Sequence, residues 1–242
     1  MVVIFIALSK PKLDIVVNNY AAIRPDFGLI KSILAIGVPS GIENSMFQFG
    51  KLAIQSTVST LGTAAIAAQA MTNILENVNG IFGIGVGMCL MTVVGQTLGA
   101  GRKEEAKYYV VKLAGIAELG IIASCLLVYL LVEPITKLGG MEPESARMCI
   151  EMVGAITIVK PLVWVFSFVP AYGMRAAGDV KFSMMTSIIT MWGCRVALSI
   201  ALIRVFGMGP MAVWYGMFAD WTIRGIIFTT RFLSGKWIKK VV

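Results

Sequence analysis

The chain has 242 residues, 57% of them hydrophobic and 14% charged, with a mean hydropathy of +0.83. That is far fewer charges than the roughly 25% of ordinary soluble domains, and it reads as an integral membrane protein. With no histidine, imidazole catalysis, histidine-based zinc motifs and histidine proton relays are all excluded. The net charge of +8 could suggest nucleic acid, but Lys and Arg gather at the ends of apolar runs, as membrane topology asks. No period-two alternation points to a barrel, and Cys89, Cys125, Cys149 and Cys194 all lie in apolar runs, with neither a disulfide framework nor a metal site suggested.

Residues 1–8 are apolar but too short to span and lack a basic start and cleavage site, so they read as the remnant of a preceding transmembrane helix. Residues 9–28, running through Pro11 and Pro25 with several charges, read as a polar connector. The rest, 29–242, divides into six expected spans near 29–60, 63–99, 105–132, 145–173, 180–205 and 210–233, each bounded by Gly, Pro or charge. The expected fold is an all-α polytopic bundle of six transmembrane helices plus the partial N-terminal one. If the connector is cytoplasmic, fourteen of the 21 basic residues fall on the inner side, Lys137, Arg147 and Arg204 on the outer, and four within spans. The positive-inside rule then puts the connector and the C-terminus in the cytoplasm of a multi-pass inner-membrane protein.

The first full span carries Glu43, Asn44, Gln48, Lys51, Gln55 and Ser59. At about 100° per residue, Ser40, Asn44, Gln48, Lys51, Gln55 and Ser59 share an arc of roughly 100°, with Glu43 about 60° beyond its edge. Ionisable groups at membrane depth face a bundle interior or a wet cavity, because an unpaired charge in hydrocarbon costs several kcal/mol. On the second span Gln69, Thr72, Asn73 and Glu76 share one face with Gly80, Gly83 and Gly87, whose small size permits close helix approach. With Leu61-Gly62 as the turn of an antiparallel hairpin, Gln48 lies level with about Glu76, and Lys51 with about Asn73. The two polar faces are expected to meet. Either Glu43, Lys51 and Glu76 change partners as protons, cations or another small molecule bind, or Lys51 and Glu76 form a permanent ion pair. Lys160-Pro161 pairs a charge with a helix breaker, which is either a bend facing the cavity or a structural kink. Asp220 and Arg224, at i, i+4 spacing and with Arg195 nearby in the bundle, read as a structural ion pair.

Gly83, Gly85 and Gly87 form a GxGxG string within a helix, with no preceding strand and no acid to hold a ribose, and no Walker lysine appears, so no nucleotide site is expected. Energy would come from an ion gradient. No nucleophile–base constellation is visible and no enzyme is expected.

The segment GVPSGIENSMFQFGK followed by AAIAAQAMTNILENVNGIFGIGVGMCLMTVVGQTLGAGRKEEAK resembles the C-terminal half of multidrug and toxic compound extrusion (MATE) transporters. Leu61-Gly62-Thr63 with Ile66-Ala67-Ala68 matches one motif of that family, and Val94-Gly95-Gln96 with Leu98-Gly99-Ala100-Gly101 a second. Gly173 and Arg175 through Gly178-Asp179, Trp192 with Arg195, and Gly209, Val213, Trp214 and Asp220 extend the resemblance over about 28–240. It implies one six-helix lobe of a twelve-helix antiporter that exports amphiphilic, often cationic, compounds by alternating access in exchange for protons or sodium, with no other cofactor. The implied partners are a small-molecule substrate, the lipid bilayer and an N-terminal six-helix lobe, with no nucleic acid. In one branch of the family two acids couple the cation; those places are Phe47 and Trp164 here, and the nearby acid is Glu43. On the polar faces of the first two spans and the Lys-Pro pair of the fourth, the candidate transport and ion-coupling residues are Glu43, Asn44, Gln48, Lys51, Gln55, Asn73, Glu76 and Lys160. Two other readings stay open: a lipid-linked oligosaccharide flippase of the same superfamily, which would need a more cationic cavity, and a non-transporting membrane scaffold, in which the stripe would be dry and paired.

Overall fold

The computed structural model describes residues 26–238, without the side chains of 29, 32 and 36. The remnant expected at 1–8 and nearly all of the connector expected at 9–28 lie outside the described residues. Two units are distinguished, Met1–Val38 and Pro39–Val242. Of the first, only the start of helix α1 is described, and all packing reported below belongs to the second.

The helices are α1 (Phe27–Val58, prolonged by a 3₁₀ turn at Ser59–Leu61), α2 (Thr63–Gly99), α3 (Lys103–Leu138), α4 (Pro143–Ala176), α5 (Val180–Arg204) and α6 (Met211–Leu233). Among the described residues there is no strand. The six elements correspond to the six spans read from the sequence, with α3 running six residues past its expected end at 132, through Pro134 to Leu138. By length and apolarity, however, four helices among the described residues qualify as membrane-crossing on their own: α2, α3, α4 and α5. α1, with its amide and charge stripe, and α6, with Asp220 and Arg224, fall outside that group, and both need neighbours to cover their polar groups.

The helix ends follow local chemistry. α4 opens with Pro143, whose missing N–H is no loss in a first turn. α3 has Glu104 and Glu105 in its first turn and Lys137 in its last, and α4 has Glu144 and Arg175 in the same places, each charge set against the helix dipole. The α1–α2 turn depends on Gly62 at φ 96°, and the α4–α5 turn on Gly178 at φ 80°, left-handed conformations that favour glycine.

The main core is formed by α2, α3, α4 and α6, around Leu90, Ile121, Ile156, Met174, Trp214 and Phe228. A second cluster joins Ile54 and Val58 of α1 to Met191, Val196 and Ile203 of α5 and Val213 of α6. The glycine face of α2 lets α4 come close: a Cβ on Gly83 would stand 2.5 Å from Trp164, and one on Gly87 would overlap Tyr172. Leu119, Leu126, Leu127, Leu130 and Leu131 of α3 point outward, the face such a bundle offers to lipid.

α5 is not uniform. Its middle, Met191–Ala197, is a π-helix that contains both Trp192 and Arg195. The wider turn shifts the face on which later residues emerge, and such segments are frequent at functional sites. Gly50 of α1 sits against it, with room so limited that a Cβ there would lie 2.5 Å from the Met191 methyl.

Candidate functional site

Between α1 and α2 lies a cavity of about 440 Å³, lined by Gln48, Lys51, Leu52, Ile54 and Gln55 from α1, Gln69, Asn73, Glu76 and Asn77 from α2, Arg195 from α5 and Val213 from α6. The two polar faces expected to meet therefore do so, with space between them. A smaller cavity of about 200 Å³ shares Lys51, Glu76, Asn77 and Arg195 with it and adds Phe47, Trp164, Phe168, Tyr172, Met217 and Trp221. One chamber is rich in amides and the other in aromatic rings.

The ion pairs differ from the sequence reading. Glu76 is bound not by Lys51 but by Lys160, whose Nζ donates to Glu76 Oε1 at 2.7 Å and to its backbone oxygen at 3.0 Å. The reason is helix spacing. Gly80 and Gly83 bring α4 against α2, and Lys160 Nζ fills the space beside Gly80, whereas α1 stands off across the cavity. Lys160 is wholly buried between the rings of Trp164 and Trp221, so Glu76 supplies the counter-charge without which an ammonium at this depth would cost several kcal/mol. α4 is helical on both sides of Pro161, and Lys160 beside it points towards Glu76 of α2.

Glu43 is also held elsewhere. Its carboxylate accepts from Arg175 Nη2 at 2.6 Å, in a pair that ties α1 to the end of α4, and it is 5% exposed. Arg175 lies over the Tyr172 ring. Glu43, Lys51 and Glu76 are therefore not in one contact set in this conformation; Glu43 is paired with Arg175 at the end of α4. The Arg175 partner was visible in the sequence only as part of a loop motif, because nothing in linear spacing joins residues 132 apart. Asn44 is exposed and donates to its own helix at Ser40 rather than lining the cavity.

Asp220 and Arg224 form the expected structural pair, with Arg224 Nη2 donating to Asp220 Oδ1 and Oδ2 at 2.7 and 2.9 Å. Arg224 Nε donates to Thr190 Oγ1, and its guanidinium lies against Phe47 and Phe168. Arg195 does not join them by a hydrogen bond: it lines the cavity, and its buried Nε has no hydrogen-bond partner. Sequence reasoning also missed Asn77, which lies outside the narrow arc of α2 but within the cavity wall, and Glu118, an acid inside α3 whose buried Oε2 has no hydrogen-bond partner. A lone acid amid the apolar residues of α3 was the signal for Glu118.

The MatE family pattern matches residues 39–201, more than half of the chain. The chain belongs to the MatE family. A probable multidrug resistance protein NorM of Thermotoga maritima is 26% identical over 227 residues, covering 91% of this chain and 47% of the relative. The uncharacterized transporter YisQ of Bacillus subtilis is 24% identical over 212 residues, covering 87% and 46%. A crystal structure of MATE in complex with MaL6 matches the fold with a TM-score of 0.83 at 16% identity, covering 96% of this chain and 54% of that one. The chain thus spans about half the length of the relatives it matches, and it is a multi-pass membrane protein of this family.

Proposed function

We propose that this chain is the cavity-bearing six-helix lobe of a MATE-type secondary antiporter, which exports amphiphilic compounds by alternating access in exchange for protons or sodium. The observation that carries the reading is the cavity of about 440 Å³ between α1 and α2, walled by amides and charges that lipid could not accommodate. Its volume lies in the range of small-molecule sites, which supports a drug-sized substrate over a lipid-linked oligosaccharide. Exposure of Gln48, Lys51 and Gln55 to that space argues against a dry scaffold.

A second six-helix lobe completes the site, as midplane sites in repeat-built transporters lie between the repeats. The positive-inside bias supports a cytoplasmic C-terminus. Glu43 is the coupling acid. Protonation or sodium binding there removes the counter-charge of Arg175 and releases α1 from α4, so that the pair opens only when the ion has arrived.

The test is efflux from proteoliposomes that carry the protein at the length the cell makes it, under an imposed proton or sodium gradient. Either gradient should drive efflux, and Glu43→Gln should abolish the dependence on it. Absence of gradient-driven efflux under both conditions would sink the antiport reading. Wild-type gradient dependence in Glu43→Gln would remove Glu43 from the coupling step alone.

A further inference from the structure

Both cavities share Lys51, Glu76, Asn77 and Arg195, and the charges among these four do not cancel. Glu76 is neutralised by the buried Lys160. The buried acid Asp220 accepts from Arg224 through both of its carboxylate oxygens. Lys51 and Arg195 remain: among the described residues, neither side chain makes an ion pair or a hydrogen bond, and a buried Arg195 Nε–H is left without an acceptor. From this geometry we infer that the site binds amphiphilic anions, with a carboxylate, sulfonate or phosphate held between Lys51 and Arg195 and an apolar or aromatic body in the chamber of Phe47, Phe168 and Trp164.

The inference takes the cavity as the substrate site proposed above and turns round the cationic cargo expected from the sequence. A cation at Glu76 would have to share a carboxylate that already accepts from Lys160, whose wholly buried ammonium depends on that counter-charge. Lys160 lies over Trp164 and Trp221, and Arg224 over Phe47 and Phe168, so a cationic ligand at these rings would meet like charge beside it. An anion displaces nothing. It supplies the missing acceptor to Arg195, whose planar fork suits a carboxylate or phosphate, and it neutralises Lys51 in a partly desolvated setting. Gln48, Gln55 and Asn73 then offer adaptable amide contacts around the head group.

The test compares two probes with the same aromatic body, 4-biphenylcarboxylate and 4-biphenylmethylammonium. They are titrated calorimetrically into the native-length protein in detergent, with gradient-driven efflux of each measured separately in proteoliposomes. The carboxylate should bind at least tenfold more tightly than the ammonium. Lys51→Met and Arg195→Gln should each weaken the carboxylate about tenfold without weakening the ammonium, and Lys51→Arg should restore binding. Lys51 is exposed to the cavity, so an unchanged melting temperature of Lys51→Met keeps the result interpretable if Arg195→Gln does not fold. Equal or tighter ammonium binding, carboxylate binding indifferent to both variants, or binding of neither probe would overturn the inference. Tight, Lys51-dependent carboxylate binding with no gradient-driven efflux would instead uphold the anion site and overturn the antiport reading.

Discussion

Two sets of charges lie close together in this bundle and are treated oppositely. Lys160 with Glu76 and Arg224 with Asp220 are closed pairs, with Lys160, Asp220 and Arg224 each 1% exposed or less. Lys51 and Arg195, within the same cavity walls, face space and have no ion-pair partner among the described residues. Helix packing makes the difference. Where glycines let α4 press on α2, and where four residues along α6 bring acid and base onto one face, charge meets charge. Where α1 stands apart, its lysine is left for something else to meet. The closed pairs hold the bundle, and the open cations are available for a ligand.

That contrast can be broken experimentally, most severely at the deepest pair. Asp220→Leu leaves Arg224 buried without its carboxylate and is expected to cost about 3–5 kcal/mol, whereas adding Arg224→Met should recover much of the loss. Denaturant or thermal unfolding in detergent measures both. A double variant no more stable than the single would show that the pair is not a closed unit.

Next is the pair beside the cavity. Glu76→Gln strands the wholly buried Lys160, and about 2–4 kcal/mol of destabilisation is expected, relieved in the double variant with Lys160→Met. Adding Lys51→Met to Glu76→Gln should bring no such relief, since Lys160 holds the carboxylate. A double-mutant cycle over the three residues separates the two cases.

The glycine spacing itself can be tested at a smaller scale. Gly83→Ala places a Cβ 2.5 Å from the Trp164 ring and should destabilise by about 1–3 kcal/mol through overpacking. Gly85→Ala, two residues along the same helix with nothing near its Cβ, should be neutral or stabilising by up to about 1 kcal/mol through helix propensity. Melting temperatures of the two variants are the readout; similar shifts would refute the close-approach account.

The smallest effect on stability belongs to the open cation. Lys51→Met should leave unfolding within about 0.5 kcal/mol of the parent, as for a group that no partner holds. A loss above about 2 kcal/mol, comparable with the closed pairs, would reveal a structural partner for Lys51 and remove the contrast.

The sequence by itself determined the membrane class, the six helical segments and their turns, and the polar faces of α1 and α2. Those follow from local rules: apolar length, helical period, and Gly or Pro at the ends. The Asp220–Arg224 pair was legible too, because i, i+4 spacing within one helix fixes the contact before any folding is considered. Tertiary structure alone decided who meets whom across helices. The sequence placed Lys51 level with the start of the α2 polar face but could not show that α1 stands a cavity's width away, nor that Gly80 opens the place where Lys160 reaches Glu76. It could not join Glu43 to Arg175 across 132 residues, or reveal the π-helical turn at Met191–Ala197 that holds Arg195. Interhelical distance and rotation are set by the summed packing of all the side chains between two helices, and no period within a single helix records that sum.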